Sequence, residues 1–143
     1  MSVDQISSID GALDALAGEF DVLGEWEERY RYVIDLGRDL APLSDAERTD
    51  ANRVRGCASQ VWLVMEPGSG DVLRFRGDSD AHIVRGLIAI LMGLYSGRTR
   101  AEILSFDAKA AFARLGLSEA LSSQRANGLI SMVGRIRADA AAA

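Results

Sequence analysis

Cys57 and His82 are the chain's single cysteine and single histidine. They bound its reactive side-chain chemistry. Cys57 lies in Arg53-Val54-Arg55-Gly56-Cys57-Ala58-Ser59-Gln60. Gly56 lets the backbone turn sharply, and small neighbours leave the sulfur open to an incoming group. Arg53 and Arg55 are cations close in sequence, and a nearby cation favours thiolate, the nucleophilic form. On an extended strand both would share a face with Cys57, a parity that a turn at Gly56 undoes. The plainer alternative is a free cysteine packed as a small hydrophobe. His82 could act as general base for Cys57, as in thiol hydrolases. Nothing around it orients the ring as a triad requires, so a solvated or capping histidine is the default.

Other chemistries are excluded. One thiol cannot form a disulfide within the chain, and a Cys/His zinc site or a four-Cys iron–sulfur site cannot be built. Asp78-Ser79-Asp80 resembles a fragment of a calcium loop but lacks the distal Glu, and it reads as helix capping. Gly68-Ser69-Gly70 lacks the Gly-Lys-Ser/Thr of a phosphate loop. Trp26 and Trp62 read as core. Arg125, with Asn127 and Gly128, opens the last helix, where an anion could bind, although a solvated Arg is the default.

Acids outnumber bases 21 to 16, for a formal net charge of -5. That disfavours a nucleic-acid partner, since phosphate binding needs clustered positive charge. No secretory signal is visible at the N-terminus. The longest apolar stretch, Gly86 to Tyr95, is about half of the ~20 residues that a spanning helix needs. A lone thiol suits a reducing compartment. The expectation is a soluble, cytoplasmic protein without a membrane partner. At 143 residues, 48% of them apolar, residues 1–143 read as one domain with one core.

The elements that must position Cys57 follow from periodicity. Ile6, Ile9, Leu13, Leu16, Phe20 and Leu23 form one helical face, weakened by Gly11 and Gly18. From Trp26 the apolar set Tyr30, Val33, Ile34, Leu36 and Leu40 predicts a second helix, with Glu25, Glu27 and Glu28 in its first turn, Gly37 near its C-terminal end and Pro42 stopping any continuation. Ser44 to Glu47 has capping-box spacing. Gln60 to Met65 and Asp71 to Arg76 flank the turn Pro67-Gly68-Ser69-Gly70 and predict an antiparallel hairpin. Arg53-Val54-Arg55 is the candidate third strand. Asp78 to Asp80 would break the second strand and cap a helix over Ile83 to Tyr95, apolar almost all round and therefore central. Thr99 to Glu102 is a second capping box. Helices over Asp107 to Leu115 and Ser123 to Arg137 follow, and the Ala140 to Ala143 tail is expected to fray. The order predicts an α+β fold, a small antiparallel sheet of about three strands with helices packed on one face.

The run Asn52 to Trp62 resembles the motif of SufE-type sulfur-transfer proteins, the family of SufE and CsdE. So do Trp26-Glu27-Glu28-Arg29-Tyr30, Gly77 to Ala81, Ile83 to Ile88 and Ser123 to Leu129. The resemblance spans about residues 12 to 138. It implies a fold shared with IscU-like scaffolds and a persulfide acceptor whose nucleophile is Cys57. The donor would be a pyridoxal-phosphate-dependent cysteine desulfurase, SufS- or CsdA-like, which the acceptor stimulates. The receiver would be an iron–sulfur scaffold complex. The cofactor belongs to the desulfurase, so none is expected here, and family members are monomers or weak homodimers. Arg55, Gly56, Ser59, Gln60, Asp80 and Arg125 fall in the matching motifs as candidate interface or loop-positioning residues. Many relatives have Gln or another polar residue where this chain has Ala58. Sulfane transfer needs access and a thiolate, not a metal or a triad. It also needs shelter from oxidation. Cys57 is therefore expected at a loop tip with its sulfur tucked against apolar neighbours. Two alternatives stand beside this: a non-catalytic binding module on the same fold, and a stand-alone thiol enzyme using Cys57 and His82.

Overall fold

A computed structural model describes residues 8–143. Ser8 caps the first helix, its hydroxyl accepting from the Gly11 N–H at 3.0 Å. Helix α1 (Ile9–Asp21) buries Leu13, Ala17 and Phe20. Ile6, the first residue of the expected stripe, lies outside the described residues. Helix α2 (Trp26–Arg38) carries Glu27 and Glu28 in its first turn and Arg38 in its last, both matched to the helix dipole.

Gly37, near the C-terminal end of α2, is a packing residue. It meets Gly86 of helix α3 (His82–Tyr95) where the two helices cross. A Cβ on Gly86 would stand 2.1 Å from the Val33 carbonyl oxygen, so only glycine admits that approach. Helix α3 is central, as its apolar circumference requires. Leu87, Ile88, Leu91, Leu94 and Tyr95 are all at most 1% exposed.

The sheet has the order β1-β2-β3, all antiparallel, with β1 at Val61–Pro67, β2 at Val72–Ser79 and β3 at Arg98–Thr99. Leu63 pairs with Gly77 and Met65 with Phe75. This face buries against α3, whose Ile88 sits over Gly77. Two expectations change here. Arg53-Val54-Arg55 is not a strand: Arg53 makes a single bridge to Trp62, and the chain turns away at Arg55 and Gly56. The third strand comes instead from Arg98–Thr99, because Gly97 (φ +80°) turns the chain back so that its N–H reaches the Leu73 carbonyl.

The second change concerns Asp78. The strand runs on through Ser79, and the α3 N-cap is Ala81, with no side-chain cap bond. The Asp78 carboxylate is fully buried and occupied elsewhere. It accepts from the Leu43 N–H (3.0 Å), from Arg48 (2.7 Å), from Arg85 and from the Ser79 N–H (2.8 Å). Arg85 also donates to the Leu40 carbonyl at 2.7 Å, which ties the end of α2 to the sheet. The segment from Leu43 to Asn52, with a 3-10 turn at Asp45–Glu47 closed by the expected capping box, covers this outer face. Arg48 lies 5.5 Å above the Trp62 ring.

Helix α4 (Arg100–Ser105) opens with the second capping box, Thr99 and Glu102. After α5 (Ala108–Arg114) a short α6 (Leu117–Ala120) follows, unannounced by the sequence pattern and anchored by buried Leu115, Leu117 and Leu121. Helix α7 runs from Ser123 to Ala142. The alanine tail is helical rather than frayed, because alanine has the highest helix propensity and Ala140 is fully buried. Among the described residues, no helix is long and apolar enough to cross a membrane.

Candidate functional site

The Cys57 loop leaves the sheet through two backbone bonds. The Leu63 N–H donates to the Asn52 carbonyl (2.9 Å) and the Val54 N–H to the Val61 carbonyl (2.8 Å). Between them, residues 55–60 cannot follow the ladder, because Gly56 sits at φ +87°. Only glycine adopts that conformation without strain. A Cβ there would also stand 2.6 Å from Ser131 Oγ on α7.

The far side of the loop is tied at Gln60. Its N–H donates to Asp80 Oδ1 at 3.1 Å, and the Asp80 N–H returns to the Gln60 carbonyl at 3.4 Å. Asp80 is therefore placed as a brace between the loop and the start of α3, not as a helix cap.

Cys57 is half-buried. Its thiol donates to the Gly128 carbonyl on α7 at 3.6 Å. The sulfur opens onto a pocket of about 290 Å³ between the loop, α3 and the start of α7. Val61, Val84, Leu87 and Met132 form its apolar wall, and Ser59, Ser122, Gln124 and Arg125 form its polar rim. Arg125 also stacks over Tyr30 of α2, 5.9 Å from the ring centroid.

Burial pushes the Cys57 thiol above its ordinary value. This corrects the expectation that Arg53 and Arg55 favour thiolate. Neither lines the pocket. Arg55 is exposed at the turn, and Arg53 is held in its bridge to Trp62. With the proton aimed at a carbonyl and apolar residues behind it, the sulfur rests as a sheltered thiol.

The structure brings Gly56, Ser59, Gln60, Asp80 and Arg125 to this loop or its pocket, and it places Arg55 in the loop but outside the pocket lining. His82, exposed at the first turn of α3, neither lines the pocket nor bonds the sulfur. It is not placed as a base for Cys57. Among the described residues no cluster of His, Cys, Asp and Glu could hold a metal ion. Sequence reasoning missed Ser131 and Arg135. Arg135 Nη2 donates to the Ala51 carbonyl (2.7 Å) and Nη1 to the Arg53 carbonyl (3.1 Å). The three- and four-residue steps from Gly128 to Ser131 to Arg135 mark one helix face, but nothing local says which segment lies on it.

The chain matches the family model described as SufE, Fe-S metabolism associated domain, over residues 14–140. It is 54% identical over 133 residues to an uncharacterized SufE-like protein of Rhizobium etli, covering 90% of this chain and 89% of that protein. To an uncharacterized SufE-like protein of Rhizobium meliloti (strain 1021) it is 52% identical over 133 residues, 90% of this chain and 94% of the relative. Its fold is similar to the solution structure of a hypothetical protein from Thermus thermophilus, with a TM-score of 0.74, 18% identity and coverage of 90% and 93% of the two chains.

Proposed function

The chain belongs to the SufE family, whose domain is associated with Fe–S metabolism, and we propose that it carries persulfide sulfur on Cys57. The donor is a pyridoxal-phosphate-dependent cysteine desulfurase, SufS- or CsdA-like, and the receiver is an iron–sulfur scaffold complex. One observation carries this reading. The single thiol of the chain sits half-buried on a glycine-turned loop and opens onto a pocket, neither sealed in the core nor bare to solvent.

The chemistry is thiol exchange. The Cys57 thiolate attacks the outer sulfur of the desulfurase persulfide. A new S–S bond forms at Cys57, and the old one breaks to leave the desulfurase cysteine as thiolate. The Cys57 proton leaves before attack, and no net oxidation occurs. Freeing the desulfurase cysteine lets that enzyme turn over again, which is how the carrier stimulates it. The raised thiol pKa fits a carrier that idles protonated, since the thiolate is also the form most open to oxidation. Docking that draws the loop out of its pocket would lower that pKa by solvating the sulfur. Ser59 and Arg125 on the pocket rim, and Gln60 and Asp80 at the loop's far end, are the residues such docking meets or moves. Arg55, exposed at the start of the loop, is a contact for the partner rather than for the sulfur. A reducing cytoplasm is the compartment in which a lone carrier thiol persists.

The test is sulfur loading. Incubation with a SufS-type desulfurase and cysteine should add one sulfur atom to the intact protein by mass spectrometry, removable by reductant, and should raise desulfurase turnover. Cys57→Ser should abolish both. An unloaded wild-type protein and unchanged turnover would instead support a binding module on this fold.

A further inference from the structure

Three positions of α7, Gly128, Ser131 and Arg135, hold three successive points of the Cys57 loop. The Gly128 carbonyl accepts from the Cys57 thiol. Ser131 packs under Gly56. Arg135 reaches the stem, donating to the carbonyls of Ala51 and Arg53. Its guanidinium is itself aimed by Asp139, whose two carboxylate oxygens both lie 3.1 Å from Nε. A planar fork with a carboxylate behind it is a rigid donor, and the two carbonyls lie just before the bond from Val54 to Val61 from which the loop departs.

The geometry assigns Arg135 as a positioning residue: it fixes the stem of the loop against α7 and so keeps the Cys57 sulfur in its sheltered resting place. This deepens the carrier reading and rests on it for its biological meaning. With the stem fixed, residues 55–60 pivot about an anchored base. Without it, the stem lifts from α7, the contact of Gly56 with Ser131 loosens, and the sulfur drifts from the Gly128 carbonyl toward solvent. Arg135 does not line the pocket, so its effect on the thiol passes through the loop. The groups facing the sulfur are apolar from α3 (Val84, Leu87) and β1 (Val61), and among the described residues Arg125 from α7 is the one charged residue of the lining.

The experiment is alkylation of the free protein by iodoacetamide across pH, with near-ultraviolet circular dichroism to verify folding. Arg135→Ala should react about tenfold faster near neutral pH, a change equivalent to about 1.4 kcal/mol, with its midpoint shifted down toward the ordinary thiol value. Arg135→Lys keeps the charge without the fork and should fall between the two. A structural role alone would lower thermal stability and leave the pH profile in place. A folded Arg135→Ala protein with the wild-type rate and midpoint overturns the assignment. If that variant does not fold, Asp139→Asn carries the test: a faster reaction supports it, and a wild-type profile overturns it. No desulfurase takes part. Failed sulfur loading with an intact alkylation response therefore refutes the carrier and spares the pin, and the reverse pattern does the opposite.

Discussion

The Cys57 sulfur lies 3.6 Å from the Gly128 carbonyl oxygen, with the thiol as donor. This pair suits a protonated sulfur and not a thiolate, which would face an oxygen lone pair in a partly desolvated place. Burial raises the thiol pKa, so the free protein holds less thiolate at neutral pH than an ordinary cysteine does. Alkylation of Cys57 should climb with pH to a midpoint above ~8.5, the unperturbed thiol value. The sign for stability follows. Between the unfolded and the higher folded value the native state binds more protons, so this contribution is complete below the unfolded pKa and fades as pH rises through the folded one. A midpoint at or below the unperturbed value would contradict the shelter described for the sulfur.

Gly56 and Ser131 offer a steric test of the loop's seat. Gly56→Ala adds a Cβ at φ +87° that also meets Ser131 Oγ at 2.6 Å. The backbone strain alone is about 1–2 kcal/mol. Urea unfolding should show a loss of at least that size, with faster alkylation of Cys57. Adding Ser131→Ala should recover the steric part and leave the backbone part. A double variant no more stable than Gly56→Ala alone would mean that the two residues do not press on each other.

The legible features were those set by short-range rules. The hairpin around Pro67 to Gly70, the two capping boxes and the buried α3 all follow from spacing and turn chemistry, and Cys57 stood out because the chain has one thiol. Contacts between segments distant in sequence were not legible. Asp78 looks like a cap because an Asp before a helix usually is one. Nothing in its own segment shows that Leu43, Arg48 and Arg85 converge on it. Arg53 and Arg55 leave the thiol unaffected for the same reason, since closeness in sequence is not closeness to sulfur once a glycine turn intervenes. Arg135 sits more than 80 residues after the carbonyls that it binds, and its role needs the whole fold.

Asp78 should be the most sensitive polar residue of the fold. Burial alone would raise its pKa, but hydrogen bonds from Arg48, Leu43 and Ser79 and the charge of Arg85 together hold it below the usual carboxylate value. Asp78→Ala leaves Arg48 and Arg85 without their shared carboxylate. Removing one partner of a buried pair costs about 3–5 kcal/mol. The partial exposure of Arg48 and Arg85 places the expected loss, read by urea unfolding, near the lower end. In the wild type this stabilisation is complete above ~3.9, the unfolded Asp value, and is lost as pH falls through the lower folded value. The variant's acid-unfolding curve should be correspondingly flatter in that range. An equal slope would place the acid sensitivity elsewhere.

Tyr95 should show the opposite behaviour. Its ring is fully buried on α3, edge-on to Phe106 with centroids 5.7 Å apart. Its hydroxyl has no hydrogen-bond partner among the described residues. Desolvation pushes its pKa up to about 12, against a smaller downward pull from Arg137. A buried hydroxyl without a partner carries its desolvation cost uncompensated, about 1–3 kcal/mol. Phenylalanine keeps the ring, the volume and the contact with Phe106. Tyr95→Phe should therefore be neutral or more stable by up to about 1 kcal/mol in urea unfolding, with sulfur loading at Cys57 unchanged. A clear loss of stability would mean that the hydroxyl has a partner in solution, and a bound water visible in a crystal structure would identify it.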